Sequence, residues 1–291
     1  MPWKGGEAAM GEKIYFRGLR TEEFIHPKEA EAKKTLLGSR GYQKMVAALS
    51  KAADLYNFIK KEGEFTLLSR QTAPGLFRIL EDTCRILDIG QVPDLYMIHS
   101  YSQLLLPCGT GESCYLVISD YISKAADEEM LYYLFGNAMT MIKAGHVEIT
   151  TLTSYMTDNI WLAAPQLAVK SYLHKADVTS DRGGLLACQS FRAAARCHFL
   201  ELGLPAGETA KLFHSDEEAA LYVERYLREV RRVNEKDPLL TKVSEKWMDI
   251  NQIEGAPNRM LYELYQWYKE GYPRLLGKYA GADKNEGRYR I

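Results

Sequence analysis

The feature that most constrains this chain is one apolar helix pattern in its middle, from Ala126 to His146. Apolar residues recur there with the i, i+3, i+4 spacing of a buried helix face, at Leu131, Leu134, Phe135, Ala138, Met141, Ile142 and Gly145. Asp127 and Glu128 lie where a helix start favours negative charge, and Lys143 lies in the last turn, where positive charge is favoured. The stretch therefore predicts a central helix packed against a core.

The composition excludes several classes of function. The 291 residues carry 37 basic and 38 acidic side chains, a formal net charge of −1, which gives no electrostatic attraction to nucleic acid or to an anionic membrane. The most apolar run, Leu131 to Ile142, is shorter than the ~18 residues that a membrane-spanning helix needs. The first residues lack the apolar segment of a signal peptide. Five cysteines without a C-x-x-C pair are typical of reduced thiols. We expect a soluble, cytoplasmic protein with no membrane span and no nucleic-acid partner.

The flanking patterns predict a helix-rich α+β chain. Strands are expected at 64–69, 94–99 and 113–119, the last central because it is nearly all apolar, with an edge strand at 104–106. Further helices are expected at 74–87, 168–189, 191–202, 217–233, 241–247 and 259–268. The turn at 108–111 lacks the spacing of a phosphate-binding loop.

Two more helices are predicted between Pro27 and Gly63, with a break at Gly38–Gly41. We interpret His26 as a helix-start residue, because the proline that follows it suits a first helical turn. The second of these helices has an apolar stripe that predicts burial, formed by Met45, Ala48, Leu49, Ala52, Leu55, Tyr56 and Ile59.

One block of the central helix resembles the zinc endopeptidases related to the CAAX prenyl protease and the bacterial heat-shock protease of the inner membrane. The similar runs are 127–131 and 142–146. In that family the five residues before the second run are HExxH, in which two histidines hold zinc and the glutamate activates a water. Here these positions are Asn137, Ala138, Met139, Thr140 and Met141. Both histidines and the general base are therefore replaced.

A second block, residues 175–187, is similar to the family pattern Glu-x-x-x-Asp-Arg-Ala-Gly-Leu-Leu-Ala. The family's glutamate is the third zinc ligand, and Asp177 stands in its place; Asp181 matches the aspartate. Because one carboxylate without the histidines cannot hold zinc, the resemblance implies no metal and no cofactor.

The resemblance also implies a cleft edge beside the central helix. In the family a sheet edge with an Asn-Ala-Phe element receives the substrate as an added strand. The matching positions here are Leu104, Leu105 and Leu106, so the polar anchor is lost. Pro257-Asn258-Arg259 resembles the start of the family's last helix, and Arg259 completes the candidate cleft edge.

These replacements predict new contacts in the vestigial site. A buried carboxylate must be paired or neutralised, so we expect Asn137 to donate a hydrogen bond to Asp177 or Asp181. Lys175, Arg182 and Arg259 are the other candidate partners. Met139 and Met141 are expected to fill the space that a metal would take, because methionine adapts to irregular gaps.

The resemblance implies an extended segment at 1–25, one zincin-like domain at 26–275 with a small sheet packed on the central helix, and a polar tail at 276–291. The function it implies is a catalytically inactive pseudopeptidase. Such a protein binds a peptide or protein partner, or pairs with an active relative as a heterodimer. The alternative is an active hydrolase with a rebuilt site, for which His146 and His174 are the nearest histidines, although no nucleophile lies at a recognisable spacing.

Overall fold

The structure, a computed structural model, describes residues 13–100, 105–109, 113–152, 163–234 and 257–286. Its helices are α1 (Glu29–Gly38), α2 (Arg40–Gly63), α3 (Pro74–Ile86), α4 (Ile122–Ala125), α5 (Glu128–Lys143), α6 (Ala163–Cys188), α7 (Phe191–Glu201), α8 (Ala206–Thr209), α9 (Asp216–Asn234) and α10 (Pro257–Glu286). Its strands are β1 (Thr66–Leu67), β2 (Asp94–Ile98), β3 (Leu105–Cys108) and β4 (Tyr115–Ser119). The predicted helix-rich α+β class is confirmed. The helix predicted at 241–247 lies outside the described residues.

The four strands form one mixed sheet in the order β1-β2-β4-β3. β2 and β4 are parallel, and β1 and β3 each pair antiparallel with their neighbour. Every residue of β4 is buried, as expected for an apolar strand in the middle of a sheet. The predictions that β4 is central and β3 is an edge strand are confirmed.

The central helix α5 begins and ends as its charges predict. The Asp127 carboxylate accepts a hydrogen bond of 2.9 Å from the backbone N–H of Met130, which caps the helix start. In the last turn, the Lys143 ammonium donates to the backbone carbonyl of Leu87 at 2.7 Å. Between these ends the helix is buried on most of its surface, including Leu131 to Phe135. α5 therefore lies inside the molecule, with the sheet, α3, α6 and α7 packed around it.

The backbones of α5 and α6 approach closely through three glycines. A Cβ atom at Gly184 would lie 2.8 Å from the carbonyl oxygen of Tyr133, and one at Gly136 would lie 3.0 Å from the carbonyl oxygen of Gly183. A Cβ at Gly183 would overlap the side chain of Thr140. Glycine at these positions therefore sets the distance between the two helices.

The prediction for the apolar stripe of α2 is wrong where the side chains are described. Leu55 and Ile59 are 60% and 57% exposed. The helix instead contacts the protein through Tyr42 and Val46, which join a second core cluster with Leu36. Periodicity identifies an apolar face but does not identify which neighbour covers it. The side chains of Met45, Ala48, Leu49, Ala52 and Tyr56 lie outside the described part of the chain.

Both chain ends of the described structure belong to the core. Phe16 is fully buried in the segment predicted to be a separate extended one, and its backbone N–H donates to Ile86 at 2.9 Å. The predicted end of the last helix at Tyr268 is wrong, because α10 continues to Glu286 despite Pro273. Tyr279 packs edge-on against Phe16 at 5.3 Å between ring centroids, which holds this extension in place. None of the described helices has the length and apolarity needed to cross a membrane.

Alanine substitutions test the close helix approach. Gly184→Ala is expected to lower the free energy of unfolding by about 1–3 kcal/mol, because the new methyl group meets backbone atoms that cannot move away. The control is Gly277→Ala in α10, where a Cβ has open space and alanine should stabilise by about 0.5–1 kcal/mol. Urea denaturation of both variants measures the difference. Equal effects of the two substitutions would refute the packing role of Gly184.

Candidate functional site

The residues that match the family's zinc site in sequence lie where α5 meets α6, and we keep the name vestigial site for these positions. The Asn137 side-chain amide donates a hydrogen bond to Asp181 Oδ1 at 2.8 Å, which confirms the predicted link between this asparagine and a carboxylate. Of the other candidate partners, Lys175 donates to Ser171, and Arg182 donates to the backbone carbonyls of Phe24 and Ile25. An uncharged amide, rather than either of these cations, therefore faces Asp181.

Tyr133 and His198 complete the surroundings of this carboxyl. The Tyr133 hydroxyl donates to Asp181 Oδ1 at 2.8 Å, and His198 Nε2 lies 3.0 Å from the same hydroxyl. Because Tyr133 has a single proton, its oxygen is left to accept from His198 Nε2–H. His198 Nδ1 lies 3.7 Å from the carboxylate of Glu201. We name the group of Tyr133, Asn137, Asp181 and His198 the α5–α6 polar cluster.

Burial dominates the protonation of the α5–α6 polar cluster. Asp181 is 6% exposed and His198 is 2% exposed. Burial raises the pKa of Asp181 to about 7, against the lowering effect of the hydrogen bonds from Tyr133 and Asn137. Burial lowers the pKa of His198 and raises that of Tyr133 well above its ordinary value. The cluster therefore favours uncharged side chains.

The residues at the former ligand positions do not fit zinc. The positions of the two histidines and the general base carry an amide, a thioether and a methyl group, which are poor or no ligands for a hydrolytic zinc. The Asp181 carboxyl already accepts two hydrogen bonds. Among the residues that the structure describes, no three His, Cys, Asp or Glu side chains form a group that could hold a metal ion.

The remaining vestigial positions differ in burial. Ala138 and Met139 lie in the main core and are 1% and 0% exposed. Met141 is only partly buried. Asp177 is also partly buried and lies one turn before Asp181 on α6. The structure thus brings Asn137 to the second of the two aspartates in the matching block.

A second buried polar group lies at the other end of the α5–α6 contact. His146 Nε2 and Glu29 Oε1 are 2.7 Å apart, and both side chains are almost fully buried. Thr179 on α6 donates a short hydrogen bond to the other Glu29 oxygen and accepts one of 2.9 Å from the backbone N–H of His26. His26 Nδ1 accepts from the backbone N–H of Lys28, just before α1, in agreement with its interpretation as a helix-start residue. These histidines tie α1 to α5 and α6.

The candidate cleft edge falls on two different elements. Leu105 and Leu106 lie in β3, which packs beside α5, whereas Arg259 is exposed in the first turn of α10, which packs on α6. Burial, together with the charges of Arg259 and Lys175, lowers the pKa of His174 to about 4. Leu104 lies outside the described residues.

Sequence reasoning missed Tyr133 and His198. Tyr133 belongs to the apolar part of the α5 pattern, and His198 follows the matching block on the next helix. Tyr133 reaches Asp181 across 48 residues of sequence, and His198 Nε2 lies 3.4 Å from Asp181 Oδ2, so both contacts depend on tertiary packing. A signal was present nevertheless, since a histidine and a tyrosine on strongly apolar helix faces need polar partners when buried.

The pH dependence of stability tests the burial of Asp181. Its pKa in the folded chain, about 7, exceeds the ordinary value of 3.8, so the folded state holds an extra proton between these values. This contribution is full below pH 3.8 and is lost as the pH rises through 7, about 4 kcal/mol in total. Asp181→Asn keeps an acceptor for Tyr133 and Asn137 without this loss. The variant is therefore expected to become more stable than the unaltered chain as the pH rises from 5 to 8, as measured by chemical denaturation.

Other buried groups also make the stability of this chain depend on pH. The pH profile of the Asp181→Asn variant is therefore compared with that of the unaltered chain. The pKa values of His26 and His174 are lowered to about 4 by burial first, so both favour the folded state more as the pH rises towards their ordinary value of 6.5. These contributions cancel between the variant and the unaltered chain. Asp94→Asn, at an exposed position of β2, is the control for removing a carboxyl. A variant whose pH profile parallels that of the unaltered chain would contradict the burial of a titrating Asp181.

Comparisons with known proteins add no relative to this description. A scan against protein-family models, a search of the curated proteins and a search of the solved structures each find no match to the chain. The link to the zinc endopeptidases therefore stays a prediction from the two sequence blocks.

Proposed function

We propose that this chain is a pseudopeptidase, a non-catalytic protein that binds a peptide or protein partner through the frame of a metallopeptidase. The observation that carries the proposal is the hydrogen bond from Asn137 to Asp181. Asn137, which the sequence match aligns with the first zinc ligand of the resembling enzymes, donates this bond within the protein, which supports the proposal. The matching position of the general base is a buried methyl group, Ala138. Neither group activates a water molecule.

The rival proposal, a hydrolase with a rebuilt site, receives less support. A carboxyl with a pKa near 7 beside a histidine and a tyrosine is a combination found in catalytic sites. In this chain, however, Asp181, Tyr133 and His198 are all nearly fully buried, so a substrate does not reach them without local opening. The neighbouring thiol of Cys197 is 1% exposed, and burial raises its pKa well above the ordinary value, which makes it a poor nucleophile.

The proposed binding surface is the free edge of the sheet at β3. Among the described residues β3 pairs only with β4, so its other backbone edge can receive an extended peptide. Leu106 is 39% exposed on this strand and offers an apolar contact. Pro107 in the same strand has no N–H, so a partner strand forms fewer backbone hydrogen bonds here. Apolar side-chain contacts then contribute more of the affinity. A catalytically active relative is one partner that this surface would suit.

Metal analysis tests the non-catalytic proposal. The full chain, purified without chelator or added metal, is expected to contain substoichiometric zinc and to show no chelator-sensitive cleavage of unstructured protein substrates. The reason is that an amide, a methyl group and a thioether replace the zinc ligands and the base. Mass spectrometry of the metal content and a casein-type cleavage assay provide the two measurements. Stoichiometric zinc together with chelator-sensitive cleavage would overturn the proposal.

A restored site tests the resemblance separately. The variant Asn137→His, Ala138→Glu, Met141→His, Asp177→Glu rebuilds the family's ligands and base, and we expect it to bind zinc at about micromolar concentration or tighter. The matched control replaces Ala138→Glu with Ala138→Gln, which keeps the zinc ligands but lacks the base. If the frame is that of the zinc endopeptidases, both variants bind zinc and only the first cleaves. Failure of a folded variant to bind zinc would contradict the resemblance but not the absence of catalysis in the unaltered chain.

A further inference from the structure

Arg182 on α6 is a buried cation without an ion-pair partner. The residue is 9% exposed, and Nη1 donates to the backbone carbonyls of Phe24 and Ile25 at 3.1 and 3.0 Å. The buried Nε–H has no hydrogen-bond partner, and no carboxylate in the described ranges forms an ion pair with this guanidinium. A buried arginine is normally paired, because a charge removed from water needs compensation.

The two acids whose charges reach Arg182 compensate it only in part. Burial lowers the pKa of Arg182, and the charges of Glu263 on α10 and Glu29 on α1 oppose this effect without reversing it. The Glu29 oxygens are already engaged, one with His146 Nε2 and the other with the Thr179 hydroxyl. Glu263 attracts Arg182 but makes no ion pair with it in the part of the chain that the structure covers. The guanidinium therefore lacks a bound anion.

The surroundings of Arg182 are positive beyond this one side chain. His26 follows directly the two carbonyls that Arg182 contacts, and its backbone N–H donates to Thr179 on α6. Burial lowers the pKa of His26 to about 4, and the charges of Arg182 and Lys175 add to this effect. Lys28 adds a smaller effect of the same sign, and only the charge of Glu29 opposes it. An anion beside Arg182 would therefore lie in a favourable field.

The unpartnered side of the Arg182 guanidinium has the geometry that a carboxylate requires. Nε–H and the adjacent N–H of Nη2 are parallel donors on one edge of the planar group, whereas the carbonyls of residues 24 and 25 occupy Nη1. The guanidinium carbon lies 5.6 Å from the centroid of the Trp267 ring, so a ligand approaches along the edge and not over this face. A planar carboxylate accepts both bonds, and its single charge costs less to bury than the double charge of a phosphate.

We propose that Arg182 anchors a carboxylate-binding site between residues 24–26, α6 and α10. The two ligand oxygens accept from Nε–H and Nη2–H, and the ligand charge neutralises the guanidinium. Because Nε is covered in this structure, a neighbouring side chain shifts to admit the ligand. The carboxylate belongs to a small organic acid or to the C-terminus of a peptide. This inference uses neither β3 nor the resemblance to metallopeptidases, so it holds whether or not the chain is a pseudopeptidase.

The test follows the NMR signals of the full-length chain during titration with sodium acetate at constant ionic strength. The Nε–H proton signal of Arg182 is expected to move downfield and to saturate, with a dissociation constant on the order of 1 mM. The pKa of His26, about 4 without ligand, is expected to rise above about 5, because a bound anion stabilises the imidazolium. Sodium chloride and sodium phosphate are titrated in the same way for comparison.

Three variants connect the binding to Arg182. Arg182→Lys keeps the charge but lacks the two parallel donors, and it is expected to weaken acetate binding by at least about tenfold. The matched control is Arg228→Lys on α9, where the arginine side chain is 72% exposed and binding should not change. Glu263→Gln is expected to strengthen binding, because the carboxylate of Glu263 repels a second one near Arg182. Circular dichroism monitors folding, and the signals of the unaltered chain decide the result if Arg182→Lys does not fold.

Several results would overturn the proposal. These are a Nε–H signal of Arg182 that does not respond to acetate, unchanged acetate binding by folded Arg182→Lys, an equal response to chloride, and tighter binding of phosphate than of acetate.

A tetrapeptide with a free C-terminus and the same peptide with a C-terminal amide distinguish the two sources of the carboxylate. Binding of the free peptide at least about tenfold more tightly than acetate, with no binding of the amide, would assign the site to a chain end. Acetate binding equal to or tighter than that of the free peptide would assign it to a small organic acid.

Discussion

The rest of the structure depends on the close approach of two helix backbones, α5 and α6. Glycine at 136, 183 and 184 allows the two helices to pack so closely that a methyl group at any of these positions would clash with the other helix. This approach brings the polar side chains of α5 within hydrogen-bond distance of Asp181 on α6. The sheet, α3 and α7 then pack on the outer surfaces of the same pair. A change in the helix separation would therefore disturb the core and the vestigial site together.

Two buried carboxyls along this helix pair are accommodated in different ways. Glu29 contacts His146 and accepts a hydrogen bond from Thr179. Asp181 instead accepts from an amide and a phenol, with the nearest histidine disfavoured from carrying charge by burial. Burying an unpaired carboxylate is costly, so Asp181 is most stable when it is protonated. The chemistry of this region therefore favours neutrality.

The sequence was most informative where a pattern reports on local geometry. Periodicity and capping residues predicted α5 and the sheet strands to within a few residues, and the need to pair a buried carboxylate predicted the hydrogen bond from Asn137. Three features depended on distant contacts that no local pattern contains. His198 reaches Tyr133 only through the packing of α7 on α5. The outward face of α2 depends on Tyr42 and Val46 taking the covered side. α10 continues beyond Pro273 because Tyr279 packs on Phe16, which outweighs the loss of one helix hydrogen bond.

The central claim is that a hydrogen bond, and not a metal ion, joins α5 to α6 at Asn137 and Asp181. A double-mutant cycle of Asn137→Ala and Asp181→Ala, measured by chemical denaturation with chelator and again with added zinc, tests this claim most directly. The predicted result is a coupling free energy of about 1–2 kcal/mol that is the same in both conditions. A coupling near zero, or one that appears only with zinc, would contradict it.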